Sequence, residues 1–327
     1  MAIDLSVDFC GKKLDNPFIL ASGPPTKDYT SISQAFSLGW AGAITKSVVL
    51  EPLKDKSPRM NYLKHNSQKI GLQNYEMGSE LPVESWAEQT IKLKNDFPNK
   101  LLLVSLFASV DEGEWRELAK SFYNIPIDGF ELNFSCPHSD SHGKGYLIGQ
   151  KPKLCGKITK AVAESANGGQ IIMPKLPYLA HPNERLIAEI CKQNGANAIA
   201  AINSVAGLSS INPKTMIPRL NTKDKTTPGG ISGDLIKNFA FLMVNNLART
   251  GAPVSASGGA NSELETIVSF LGYGANNIQY CTEVIRKGNK IIKNLKETLK
   301  NYLSEKKMSL SELRGSGLEK VVSWEEL

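Results

Sequence analysis

Residues 130–138 read Phe-Glu-Leu-Asn-Phe-Ser-Cys-Pro-His. The apolar run is that of a buried strand, and it ends in Asn133, Ser135, Cys136 and His138, side chains able to do polar chemistry, with Pro137 stiffening the turn. In proteins that alternate strands with helices, strand ends converge on a ligand site. A thiol at such an end is placed to give or take a proton. The alternative is a structural cysteine, because free Cys is among the most buried residue types.

Working outward, this run (129–135) is one of eight short apolar or β-branched segments, with 17–22, 42–47, 101–107, 171–177, 198–204, 252–258 and 276–282. Helix-like stretches lie between them, including 84–96, 112–124, 182–195, 232–249 and 261–272, with Asp111 and Ser232 as candidate caps. Eight strands alternating with helices predict an α/β fold, a TIM (β/α)8 barrel. A doubly wound open sheet is the alternative, but its G-x-G-x-x-G turn after an early strand is missing. Residues 1–9 alternate like a strand and turn at Gly11-Lys12-Lys13, which predicts an N-terminal β-hairpin. The expected organisation is one catalytic barrel over 1–304 and a C-terminal tail over 305–327.

Composition limits the class. The 327 residues are 41% hydrophobic and 21% charged, as in ordinary globular chains. No run approaches the roughly 18 apolar residues of a transmembrane helix. The N-terminus lacks a basic region followed by an apolar core, so no signal peptide is expected. Five scattered cysteines without a C-x-x-C pair point to a reducing, cytoplasmic setting and to no metal or iron–sulfur ligation within this chain. A net charge of +6 mildly favours anionic small molecules or a polyanionic partner. The basic residues between Arg286 and Lys307 read as a solvated helix face rather than a nucleic-acid surface.

The C-terminal strand ends describe one polar pocket. They are Ala21-Ser22-Gly23, Thr45-Lys46-Ser47, Asn133 to His138, Lys175, Asn203-Ser204, Ser257-Gly258-Gly259 and Cys281-Thr282. A lysine beside a barrel core needs an anionic or carbonyl partner, and here there are two. The last two ends lie where barrels bind phosphate through loop N–H groups. Gly229-Gly230-Ile231-Ser232-Gly233, read as opening a helix, adds a third glycine-rich anion site.

This constellation resembles the FMN-dependent dihydroorotate and dihydropyrimidine dehydrogenases, from Val7 to about Leu303. The resemblance is carried by Asn16-Pro17-Phe18 with Ala21-Ser22-Gly23, Thr45-Lys46, Glu131 to Pro137, and Gly229 to Gly233. It implies an oxidoreductase acting on CH–CH bonds, with hydride exchanged between FMN N5 and the pyrimidine C6. It further implies Cys136 as acid/base at C5 and Lys175 beside the flavin N1/O2 edge. Lys46 would lie between flavin and substrate, and Asn133, Ser135, His138, Asn203 and Ser204 would face the pyrimidine. Ala21, Ser22, Gly23, Lys46, Ser47, Lys175, Asn203, Ser232, Gly233, Ser257, Gly258, Gly259, Cys281 and Thr282 would hold FMN.

Asn74-Tyr75-Glu76, together with Cys136-Pro137-His138, resembles the dihydropyrimidine branch, where an Asn-x-Glu pair contacts uracil. An acidic Glu76 suits the N–H groups of a neutral ring better than the carboxylate of orotate. The alternatives are a class 1 dihydroorotate dehydrogenase, a tRNA-dihydrouridine synthase-like enzyme and a non-catalytic FMN-binding subunit. The stretch after Thr282 leaves little room for an RNA-binding domain, and the non-catalytic reading would be expected to lose Cys136 or Lys175. A homodimer is expected, with no nucleic-acid or membrane partner. A separate electron-transfer subunit carrying FAD or iron–sulfur is the expected protein partner. Residues 139–145, glycine-rich and polar, read as a moving lid over the pyrimidine.

Overall fold

A computed structural model of the chain describes residues 3–52, 54, 59–136 and 146–327. Its strands are β1 (Val7–Phe9), β2 (Lys12–Leu14), β3 (Phe18–Leu20), β4 (Gly42–Ile44), β5 (Met60–His65), β6 (Gln68–Asn74) and β7 (Leu101–Leu106). They continue with β8 (Gly129–Asn133), β9 (Ile171–Leu176), β10 (Ile199–Ala201), β11 (Val205–Gly207), β12 (Gly229–Ser232), β13 (Val254–Ala256) and β14 (Asn277–Tyr280). Strands β3, β4, β7, β8, β9, β10, β13 and β14 close into a parallel barrel, one from each of the eight runs. The expected TIM barrel is what the chain forms.

The two-residue period of a strand sorts each run into an outer and an inner face. In β7, Leu102, Val104 and Leu106 face the helices, while Leu101 and Leu103 join the barrel interior. In β9, Ile172 and Leu176 face out, and Ile171 and Met173 face in. Both faces are buried, so the runs look continuously apolar. The interior is nevertheless layered. Its lower layers are apolar, and the hairpin β1–β2 plugs them from below with Phe9 and Leu14. Each of those two side chains, buried to 2% exposure or less, contributes about 1.5–3 kcal/mol. The upper layer is polar: Ser105, Glu131, Lys175, Ser255 and Gln279 are all buried there.

Close strand approach depends on Gly129. With φ +152°, it lies so near β9 that an added Cβ would sit 2.1 Å from the Ile171 carbonyl oxygen and 2.4 Å from its nitrogen. Only glycine fits this position.

The outer ring includes α1 (Tyr29–Leu38), α2 (Val83–Asp96), α3 (Glu112–Lys120), α4 (Tyr146–Gly149), α5 (Pro152–Ser165), α6 (Asn183–Gln193) and α7 (Lys237–Ala248). It is completed by α8 (Leu264–Gly272), α9 (Thr282–Lys287), α10 (Ile291–Lys306) and α11 (Leu310–Leu313). Asp111 caps α3 through the Gly113 N–H, as expected. In α10, Ile292, Leu295, Leu299 and Leu303 are buried while Lys293 and Lys300 are exposed, the pattern of a surface helix. Leu310 and Leu313 of α11 join the main core, so the chain after residue 304 packs against the barrel.

One expectation is corrected. Residues 229–233 do not open a helix, and Ser232 is not a cap. Gly229–Ser232 is strand β12, paired antiparallel to β11 and β6 in a second sheet of order β11-β12-β6-β5. The helix predicted from 232 starts at Lys237, after a 3-10 turn over Asp234–Ile236. The glycines serve close pairing: a Cβ on Gly229 would meet the Asn74 carbonyl at 2.7 Å. This small sheet stands over the barrel mouth and is the main feature the sequence pattern did not reveal.

Candidate active site

A cleft of about 1020 Å³, part of it open to solvent, occupies the C-terminal end of the barrel, beneath the four-stranded sheet. Barrel strand ends supply most of its wall, and β6 and β12 supply the rest. Of the residues singled out above, Ala21, Ser22, Gly23, Lys46, Ser47, Asn74, Glu76, Asn133, Cys136, Lys175, Asn203, Ser204, Ser232, Ser257, Gly258, Gly259, Cys281 and Thr282 all line it. Ser135 and Gly233 do not. Ser135 is fully buried, and its hydroxyl and N–H both donate to Asn133 Oδ1 (3.2 and 3.3 Å), so it braces the strand end from behind. Gly233 backs Thr282. His138 and the lid expected over 139–145 lie outside the described residues.

Cys136 follows β8 and packs with Val49 and Phe107 at the cavity wall, 5% exposed. Beside it runs a chain of amides and hydroxyls. Asn133 Nδ2 donates to Ser47 Oγ (3.1 Å), Asn203 Nδ2 donates to Asn133 Oδ1 (3.3 Å), and Ser47 Oγ lies 2.9 Å from Ser105 Oγ. These contacts tie four barrel strands together and fix the orientation of the groups beside the thiol. A second thiol, Cys281, also lines the cavity. Burial pushes it up to about 12, against the pull of Lys175, so it stays protonated near neutral pH.

At the cavity floor Lys175 Nζ donates to Gln279 Oε1 at 3.0 Å and lies 3.5 Å from Glu131 Oε2. Gln279 Nε2 in turn donates to Ser255 Oγ (2.8 Å) and to Glu131 Oε2 (3.3 Å). Burial pushes the Glu131 carboxyl up, while the ammonium of Lys175 pulls it back. A buried lysine held by one carboxylate and one amide is a compensated charge aimed into the cavity. Neither Glu131 nor Gln279 was singled out as a site residue, although both line the cavity.

On the upper wall Lys46 Nζ donates to Glu76 Oε2 at 2.9 Å, and Arg59 Nε lies 3.2 Å from Glu76 Oε1. Glu76 follows β6, its side chain 11% exposed. Asn74 positions it: Asn74 Oδ1 accepts from the Glu76 N–H (3.0 Å), and Asn74 Nδ2 donates to the Gly230 carbonyl (3.1 Å). Arg59 is a further residue missed from the sequence, because it precedes a strand that carries no apolar alternation.

The third part of the cavity suits an anion. Gly258 and Gly259 turn at φ +97° and +79°, and a Cβ on Gly259 would meet the Lys237 backbone nitrogen at 2.7 Å. Among the described residues the N–H groups of Gly258, Gly259 and Thr282 have no hydrogen-bond acceptor. Thr282 Oγ1 donates to Ser232 Oγ at 2.8 Å, joining barrel to upper sheet at the same place. Unsatisfied donors converging on one end of a cavity with a cation at its floor match the needs of a phosphorylated, electron-accepting ring. Among the described residues no group of three or more His, Cys, Asp or Glu is placed to hold a metal ion, and no helix is long and apolar enough to cross a membrane.

The chain is similar to known proteins over nearly its whole length. Residues 4–303 match the model of the family described as dihydroorotate dehydrogenase. The "NAD-dependent dihydropyrimidine dehydrogenase subunit PreA" of Escherichia coli K12 is 33% identical over 99% of this chain and 79% of its own. The "dihydroorotate dehydrogenase B (NAD(+)), catalytic subunit" of Thermococcus kodakarensis is 34% identical over 96% of this chain and 98% of its own. A solved structure of DHODH from Eimeria tenella, in complex with ferulenol, superposes with a TM-score of 0.80 over 98% of this chain and 89% of its own. Its 17% identity makes that a likeness of fold.

Proposed function

The chain belongs to the dihydroorotate dehydrogenase family of oxidoreductases acting on CH–CH bonds, and from that premise we propose that it interconverts a 5,6-dihydropyrimidine of the dihydrouracil or dihydrothymine type with its pyrimidine, using FMN. The observation that carries the choice of ring is Glu76, a carboxylate on the upper wall next to Asn74. A carboxylate accepts from ring N–H groups and repels a second carboxylate.

The residues present fit the cofactor. The free N–H groups of Gly258, Gly259 and Thr282, with the hydroxyls of Ser232 and Thr282, would hold its phosphate. Lys175 would stand at its ring, with Ala21, Ser22 and Gly23 along the wall. Bound FMN supplies the two-electron centre that exchanges hydride with C6 of the pyrimidine. Cys136 handles the proton at C5: its thiolate takes that proton in the dehydrogenation direction, and its thiol returns it in the reverse. Asn133 and Asn203 orient the ring through their locked amides. A separate electron-transfer subunit carrying FAD or iron–sulfur completes the cycle in this reading. It is supported by the word "subunit" in the relatives' names and by five scattered cysteines.

The protein loaded with FMN should be yellow, hold one noncovalent FMN per chain, and be bleached anaerobically by dihydrouracil or dihydrothymine faster than by dihydroorotate. A protein that stays colourless after reconstitution refutes the flavin reading. The second reading, dihydroorotate oxidation, is favoured by one feature, the cations Lys46 and Arg59 flanking Glu76, which could meet a substrate carboxylate. Glu76→Ala separates the two. Losing a hydrogen bond to a charged group costs about 1.5–3 kcal/mol. Dihydrouracil affinity should therefore fall about tenfold to a hundredfold, with FMN loading unchanged. If the wild type turns over dihydroorotate best, the second reading wins.

A further inference from the structure

Between the lower apolar layers of the barrel and the cavity lies a buried polar layer of which the reaction as described uses only Lys175. Glu131 on β8 is fully buried, and so is Gln279 on β14, 1% exposed. Lys175 on β9 is 4% exposed and reaches both, at 3.5 and 3.0 Å. Gln279 is bound on both sides: it accepts from Lys175 and donates to Glu131 and Ser255. Ser255 Oγ donates onward to Asn277 Oδ1 at 2.5 Å. Glu131 Oε1 has no hydrogen-bond partner among the described residues. Lys175 is thus held from beneath by one formal negative charge, with the amide of Gln279 fixing the distance between them.

We propose that Glu131 is the positioning residue of Lys175, holding its ammonium at the cavity floor and partly cancelling the positive charge that it offers to a reduced flavin. The proposal rests on the FMN reading above. A carboxylate 3.5 Å behind the ammonium weakens the field in front of it, so the flavin is less easily reduced than beside an unpaired lysine. Gln279 keeps the carboxylate and ammonium from collapsing into closer contact. Glu131 touches neither cofactor nor substrate in this account and acts through Lys175 alone.

The test is the midpoint potential of bound FMN, measured by anaerobic dye-equilibrated reduction of the loaded protein. Glu131→Gln keeps the shape of the side chain and removes its charge. The variant should bind FMN and raise the reduced-to-oxidised ratio at a fixed potential about tenfold, which is about 30 mV for a two-electron couple. In a Lys175→Met background Glu131 has lost its cation and takes up a proton, so adding Glu131→Gln should leave the ratio unchanged. An unshifted potential in flavin-loaded Glu131→Gln overturns the proposal. So does an equal shift with and without Lys175. If Glu131→Gln does not accumulate as folded protein, Glu131→Asp retracts the carboxylate and should shift the ratio the same way by less; no shift there is equally fatal. A wild type that takes up no FMN refutes the flavin reading itself, a result distinct from either.

Discussion

Cys136→Ala should slow anaerobic reduction of bound FMN by dihydrouracil by roughly 10²–10⁴-fold, the contribution of a positioned acid or base. Flavin loading should be unchanged, because the groups that suit the phosphate, around Gly258, Gly259 and Thr282, do not include this thiol. Cys281 cannot take over, since burial keeps it protonated. Serine at 136 should retain a trace of activity, with the optimum moved to higher pH, because a hydroxyl gives up its proton far less readily than a thiol. Single-turnover stopped-flow measurements isolate the step from later electron transfer. A rate within twofold of wild type in the alanine variant would assign the proton to another group.

The largest structural effect is expected at Gly129. An alanine there places its methyl group 2.1 Å from the Ile171 carbonyl oxygen and 2.4 Å from its nitrogen. Both obstacles are backbone atoms of a central strand, so no rotamer change can relieve them. The β8–β9 pair would have to part at residues 129 and 171, the first pair of their register. We expect a loss of more than about 4 kcal/mol, the range reserved for severe packing failures. That is a large share of the roughly 5–15 kcal/mol of a typical domain. Soluble yield and the urea midpoint read the effect. Gly168→Ala is the control: a Cβ there meets nothing within 4 Å, so its midpoint should stay close to wild type. Equal midpoints for the two variants would refute the argument.

The eight barrel strands were legible because parallel strands buried on both faces leave short, dense apolar runs, and seven of the eight runs carry polar residues at or near their ends that line the cavity. The upper sheet was not legible, for the opposite reason. Met60–His65 is partly exposed without alternation, and Val205–Gly207 and Gly229–Ser232 are made largely of small residues. Their pairing is decided by tertiary contact rather than by pattern. Arg59 was lost with them. Glu131 and Gln279 were hidden differently, as single polar residues inside apolar runs. Counting back two residues from Asn133 and from Cys281 places both on the cavity face, so the strand period contained the signal. A glycine pair suits close strand contact as well as an anion loop, and at 229 and 230 it serves strand contact.

The small sheet over the barrel mouth joins segments more than 150 residues apart, and it brings Asn74 to the cavity while Cys136 and Lys175 come from barrel strands or their ends. In the proposed reading, the group that chooses the ring and the groups that serve the flavin are therefore carried on separate parts of the molecule. Substitutions in the sheet can alter which substrate is admitted while the barrel strands beneath go on presenting the same floor. On that reading, new selectivity can arise there in small steps, because each change leaves the barrel groups in place.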